Sequence, residues 1–277
     1  MSTRGNKSSK KKKQTSFLKR IDRRWPWLKL VAVVVVGLLA LADLLDLTIS
    51  RAHDPFEKRM VAPMQVHIKV PERSVIGKKL VALTFDDGPS GLTTPALLDI
   101  LKARHVPATF FMLGIMAQRE PMLVLRAFDE GHEVASHTMS HQNLPRISAA
   151  AVKEDIAQSN DVFTKITGEK PSLIRPPYGN INDNVRNLAG TPLILWSVDT
   201  MDWRNQNVNS IVATALNEVY DGGIILMHDI YSTTVEAVPI LIDRLRELGY
   251  EFVTVSELAK IRGKKLTSGA SYYSMKP

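Results

Sequence analysis

The sequence predicts an α/β fold of βα units around parallel strands, arranged as an open sheet or a closed barrel. Two observations carry that class. Apolar, β-branched runs alternate with amphipathic helical patterns from about residue 80 to residue 255. Ionisable or aromatic residues also gather just past the carboxyl ends of five of those runs, where βα loops converge. Periodicity alone suits a doubly wound sheet as well as a barrel.

The amino-terminal part stands apart from this rhythm. The chain has 277 residues, and its net charge of +8 is concentrated at the start. Residues 1–30 hold eleven Lys or Arg and one acid, Asp22, a net +10 that leaves about −2 for the rest. The remainder is not basic, which excludes nucleic-acid binding as the main role. Residues 1–29 read as a basic cytoplasmic tail. Residues 30–42 (LVAVVVVGLLALA) form thirteen unbroken apolar residues, extendable to Ser50 with Asp43 and Asp46 at the far interface. Thirteen helical residues span only about 20 Å, whereas about twenty cross a hydrocarbon core. Residues 30–50 are therefore expected to form an N-terminal transmembrane helix, with Trp25 and Trp27 at the near interface and the positive flank inside. The rest would then lie outside the plasma membrane on a single-pass anchor. Ala40-Leu41-Ala42 also fits a signal-peptide cleavage site, which would give a secreted product. No cysteine is present, so core packing alone must hold the domain. Residues 51–77, with Pro55, Pro63 and Pro71, read as a linker containing one alternating stretch, 64–70, that suits a strand.

Seven strands are expected, at 80–85, 108–113, 133–136, 173–175, 193–198, 224–227 and 251–255. Thr94 precedes Pro95 as the cap of a helix to Arg104, and Pro121 opens another that Gly131 closes. Ser148 caps a longer helix whose Val152, Ile156, Phe163 and Ile166 share one face, with Gly168 past its end. Further helices are expected at 210–220 and 234–248. His105 and His132 read as turn or loop histidines, and Met112, Met116 and Met122 as core fillers.

The strand ends carry the chemistry. Asp86 and Asp87 follow the first strand, and His137 and His141 the third. Arg175, Pro176, Pro177 and Tyr178 follow the fourth, Asp199, Asp202 and Trp203 the fifth, and His228 and Asp229 the sixth. The spacing H-x-x-x-H lets two imidazoles reach one metal, and a carboxylate from another strand end completes three ligands with a position left open. Such N/O ligation suits zinc, and also cobalt, nickel or iron. Adjacent strand-end residues point apart, so the two aspartates are expected to divide two roles: one holds the metal, the other takes a proton from the water it activates. Arg175 would orient that base and lower its pKa. Read alone, Asp86-Asp87-Gly88-Pro89 equally makes a turn.

TFDDG (84–88), HTMSH (137–141), RPPYG (175–179), DTMDW (199–203) and LMHD (226–229) resemble, in order, the five motifs of the polysaccharide deacetylases of carbohydrate esterase family 4, the NodB-homology domain. The resemblance covers about residues 78–262 and leaves 263–277 as a tail. It implies a deformed (β/α) barrel, usually of seven strands. It also implies Asp86 as general base, oriented by Arg175, and Asp87, His137 and His141 as ligands of one divalent ion, zinc first. The Tyr178 N–H would form part of the oxyanion hole. His228 would be the general acid, tuned by Asp202. Pro176, Tyr178, Trp203 and Leu226 would line the substrate groove. The implied activity is hydrolysis of the N-acetyl group of N-acetylglucosamine in a cell-envelope glycan. Peptidoglycan comes first, because a short tether holds the site near the wall. Chitin-type or poly-N-acetylglucosamine deacetylation, O-acetyl ester hydrolysis and an inactive glycan-binding module are the alternatives. No protein partner is implied.

Overall fold

Strand β1 (Lys79–Asp86, KLVALTFD) lies at the centre of the fold. Every residue after Lys79 is buried, as expected of a parallel strand covered on both faces. The structure, a computed structural model, describes Val75 and residues 77–277. The basic tail, the apolar anchor and the strand expected at 64–70 lie outside the described residues. No helix among the described residues is long and apolar enough to cross a membrane.

One edge of β1 pairs along most of its length with β6 (Gly223–His228). The other pairs with β7 (Tyr250–Phe252) at its start and β2 (Thr109–Met112) at its end. β2 continues to β3 (Glu133–Ser136), Ser136 bridges to Ile174, and Ile174 bridges to Leu193. The segment 193–199 then forms β4 (Leu193–Ile194) and β5 (Val198–Asp199), and β5 pairs back onto β6. The pairings therefore return to β1, and all those between named strands are parallel. This is a barrel-like α/β fold, with β7 as a branch.

Three expected strands differ in detail, and of these the one at 251–255 ends at Phe252, with Val255 opening the helix Val255–Ile261. The one at 173–175 takes part only through the bridges of Ile174. The one at 193–198 is broken, because its first half faces Ile174 and its second half faces β6. The carboxyl-terminal segment, expected to be a tail, instead packs within the domain. Its β8 (Ser271–Tyr272) pairs with β4, Ser274 bridges to Gly223, and Met275 is 1% exposed in the core. The segment thus fills the wedge between β4 and the start of β6.

Among the described residues the α-helices are α1 (Thr94–Ala103), α2 (Gly114–Arg119), α3 (Pro121–Asp129), α4 (Ala149–Thr167), α5 (Asp183–Leu188), α6 (Asp202–Asn205), α7 (Val208–Glu218), α8 (Ser232–Glu247) and α9 (Val255–Ile261). Ser148 caps α4 by accepting the Ala151 N–H, and Gly168 ends it at φ 82°. Thr94 is not a cap. It opens α1, accepts the Ser90 N–H and donates its hydroxyl to Asp229. His105 lies in the turn after α1 at φ 52°, and buried His132 accepts the Ala108 N–H at Nδ1. Met112 fills the core, but Met122 is 51% exposed and does not.

Candidate active site and metal centre

Parallel register puts Asp86 level with His228 on β6, so two of the expected groups start as neighbours. Asp86 is buried and accepts a 2.6 Å bond from Arg175 Nη1. Arg175 is itself fully buried. Its other donors reach Thr84 Oγ1 (2.9 Å), the Ile194 carbonyl (3.2 Å) and the Leu195 carbonyl (3.1 Å). Its guanidinium lies 4.0 Å over the Phe111 ring. So many fixed contacts leave the fork one orientation, and with it the Asp86 carboxyl. Burial raises the pKa of Asp86 and outweighs the opposing Arg175 charge. The expected lowering by arginine is present, but desolvation is larger.

Asp87 turns away from Arg175. Its backbone takes φ 73°, and Oδ1 lies 3.5 Å from His137 Nε2 and 3.4 Å from His141 Nε2. Gly88 permits the turn: a Cβ there would stand 2.3 Å from both carboxylate oxygens of Asp229. Asp229, fully buried and bonded to Thr94, therefore backs the aspartate turn. The sequence places it at a strand end and within LMHD but assigns it no role.

His137 continues β3, donating its N–H to the Met112 carbonyl (2.8 Å). Its Nδ1 bonds the Arg175 carbonyl at 2.7 Å, which makes Nδ1 the donor and leaves the Nε2 lone pair free. Burial lowers its pKa to about 3, against the pull of Asp87, so the ring is neutral as a metal ligand must be. Thr138 (φ 73°) and His141 (φ 59°) both sit in the left-handed region, at a cost of roughly 1–3 kcal/mol each. That backbone brings His141 round until the ring centroids are 5.0 Å apart.

The donor atoms of Asp87, His137 and His141 lie within 4.8 Å of one another. Asp87 Oδ1 is buried without a hydrogen-bond partner, an arrangement costly for a carboxylate unless a cation compensates it. Two imidazoles and one carboxylate fit a divalent metal.

Across β1 stands the second group. Asp202, fully buried at the start of α6, accepts from His228 Nδ1 (2.8 Å), the His228 N–H (2.7 Å), Thr234 Oγ1 (2.7 Å) and the Trp203 N–H (2.8 Å). Burial disfavours the imidazolium of His228, but the Asp202 hydrogen bond and charge prevail and raise its pKa to about 9. Asp199 faces its own loop instead, accepting the Met201 N–H. Tyr231, not anticipated, packs edge-on to His228 at 6.0 Å.

Tyr178 lies in a 3-10 turn at φ 61°, its ring edge-on to His141 at 4.6 Å. It is 61% exposed and Trp203 is 47% exposed, so both offer aromatic surface to a ligand. Pro176 and Leu226 are buried, and Leu226 (4% exposed) presents little surface.

Residues 74–191 match the polysaccharide deacetylase family. The chain is 42% identical over 207 residues to the peptidoglycan-N-acetylglucosamine deacetylase PgdA of Listeria monocytogenes serotype 1/2a, covering 74% of this chain and 44% of that protein. It thus spans less than half the length of that relative. A peptidoglycan-N-acetylglucosamine deacetylase of Bacillus cereus is 42% identical over 193 residues, 67% of this chain and 90% of the relative. The structure of a family 4 acetyl xylan esterase from Clostridium thermocellum, in complex with a cobalt ion, superposes with a TM-score of 0.68. It is 33% identical, over 71% of this chain and 98% of the esterase. The matched motifs and these relatives agree, and the chain belongs to the polysaccharide deacetylase family.

Proposed function

We propose that the chain removes the acetyl group from N-acetylglucosamine in peptidoglycan, releasing acetate and leaving a free amine. The observation that carries this reading is the division at the end of β1: Asp86 Oδ1 is held by Arg175 at 2.6 Å with Oδ2 3.7 Å from His137 Nε2, while Asp87 Oδ1 lies within 3.5 Å of both His137 and His141.

Asp87, His137 and His141 would hold one divalent ion, zinc first. Bound there, the ion supplies a Lewis acid that polarises the acetamide carbonyl and acidifies water. Asp86, held by Arg175, accepts the proton of the attacking water. The Tyr178 N–H donates to the carbonyl oxygen as negative charge develops on it, a contribution of about 3 to 4 kcal/mol in comparable sites. His228, kept protonated by Asp202, gives its proton to the amine nitrogen as the C–N bond breaks. Trp203 and Tyr178 lend aromatic surface to the sugar face.

Acetate release from peptidoglycan, a chitooligosaccharide and acetylated xylan by the full chain tests the reading. Release from peptidoglycan with matching free amine is expected. Release from acetylxylan alone would favour ester hydrolysis, the second reading, which the likeness to the acetyl xylan esterase supports. No release from any of the three would leave a glycan-binding module.

The basic tail and the apolar run at 30–42 support an outward-facing domain on a single-pass anchor. Protease added to intact cells should then remove the domain and spare an amino-terminal tag. A protected domain would refute the placement.

A further inference from the structure

The loop that presents His137 and His141 is held only in part from within, by the His141 N–H on Thr138 Oγ1 at 3.2 Å. Two of its non-glycine residues, Thr138 and His141, occupy the left-handed region, and Thr138 is β-branched, for which that conformation is especially unfavourable. Something outside the motif must hold it. The start of α2 does so through the Gly114 and Ile115 N–H groups, which bond the Thr138 and Met139 carbonyls at 2.9 Å each, and one face of α4 adds side-chain support. Asp155, 5% exposed, takes the Met139 N–H on Oδ1 at 2.7 Å and the Ser140 hydroxyl on Oδ2 at 3.0 Å. One turn on, fully buried Ser159 meets Ser136 Oγ at 2.9 Å, and Ser136 Oγ accepts the Thr138 N–H at 3.1 Å. The spacing of 155 and 159 places both side chains on the same face of the helix.

Both anchor points of Asp155 lie between the two histidines. A carboxylate that binds a backbone N–H and a hydroxyl on adjacent residues fixes the loop by two charge-assisted bonds. Those bonds hold the path from His137 to His141, and so the separation of the two Nε2 atoms. We propose that Asp155 is a positioning residue for the metal site, with Ser159 as its second point of support. It touches neither substrate nor metal, and it presets the histidine pair before any ion arrives. The proposal rests on the reading of Asp87, His137 and His141 as metal ligands.

The test is metal affinity rather than turnover. Full-length wild type, Asp155→Ala, Asp155→Asn and Ser140→Ala are stripped with chelator and titrated with Zn2+ against a competing indicator. Each is then loaded with Co2+ and its visible absorption recorded. Partners of this kind typically change metal affinity by about 10- to 100-fold. Asp155→Ala is expected to weaken Zn2+ binding in that range and to alter the Co2+ bands. Asp155→Asn should lose less, because its carbonyl still accepts the Met139 N–H. The thermal midpoint of the stripped protein should fall less in Asp155→Asn than in Asp155→Ala.

Unchanged Zn2+ affinity and Co2+ bands in a folded Asp155→Ala would overturn the proposal while leaving the metal site standing. If Asp155→Ala does not fold, Asp155→Asn and Ser140→Ala decide: weaker binding in either supports the role, and wild-type binding in both overturns it. Wild-type protein that binds neither Zn2+ nor Co2+ would remove the metal reading itself, and the proposal with it.

Discussion

Asp202 takes four hydrogen bonds on two oxygens, and two of them come from His228. Its hydrogen bond and charge keep the His228 imidazole charged against burial. With its pKa raised to about 9, His228 holds its proton at neutral pH and loses it as pH climbs through that value. The alkaline limb of the rate profile should therefore lie near pH 9. Asp202→Asn removes the charge and leaves burial as the dominant influence, which pushes the imidazole down. We expect the alkaline limb of Asp202→Asn to move to lower pH and kcat to fall, with KM little changed, because the proton is used as the leaving group departs. An unmoved limb would take His228 out of the acid role. These residues were legible in the sequence because ionisable side chains at strand ends are costly without a use. Asp229 and Asp155 were less so: their work is to bond a threonine hydroxyl and a loop N–H, partners that no spacing announces.

At the scale of elements, the strands buried on both faces were the easiest to see. β1 and β6 are largely apolar runs of strand length, the pattern of a parallel strand covered on both faces. The break between β4 and β5 was invisible, because periodicity records burial and not partner. So was β8, two half-buried residues in a segment rich in Ser, Tyr and Lys. That segment is nonetheless part of the core. Met275 is 1% exposed, its N–H bonds the Gly222 carbonyl, and a Cβ on Gly222 would stand 2.1 Å from the Met275 carbonyl oxygen. Met275→Ala should cost about 2 to 3 kcal/mol, the lower part of the range for buried methionine. In a domain of this size that lowers Tm by roughly 5 to 10 °C. Calorimetry on the metal-stripped protein checks it. An unshifted Tm would show that the segment rests on the barrel without supporting it.

For the whole molecule, the ring of pairings explains why five motifs far apart in sequence meet. β1, β2, β3, residue 174, the segment 193–199 and β6 run parallel, so all their carboxyl ends open on one side. The sequence indicated that convergence through the order of its polar residues. It left open whether the strands closed on themselves, because closure depends on Ile174 and on the broken strand beside it. Within the ring, the two aspartates divide the chemistry between metal and base. Metal content and acetate release, measured together on purified full-length Asp86→Asn and Asp87→Asn, test that division most directly. Asp86→Asn should retain about one metal ion per chain, as a three-ligand site left intact requires, and lose nearly all turnover. Asp87→Asn should lose the metal and the turnover together. Equal loss of metal in both variants, or substantial acetate release by Asp86→Asn, would contradict the division of roles.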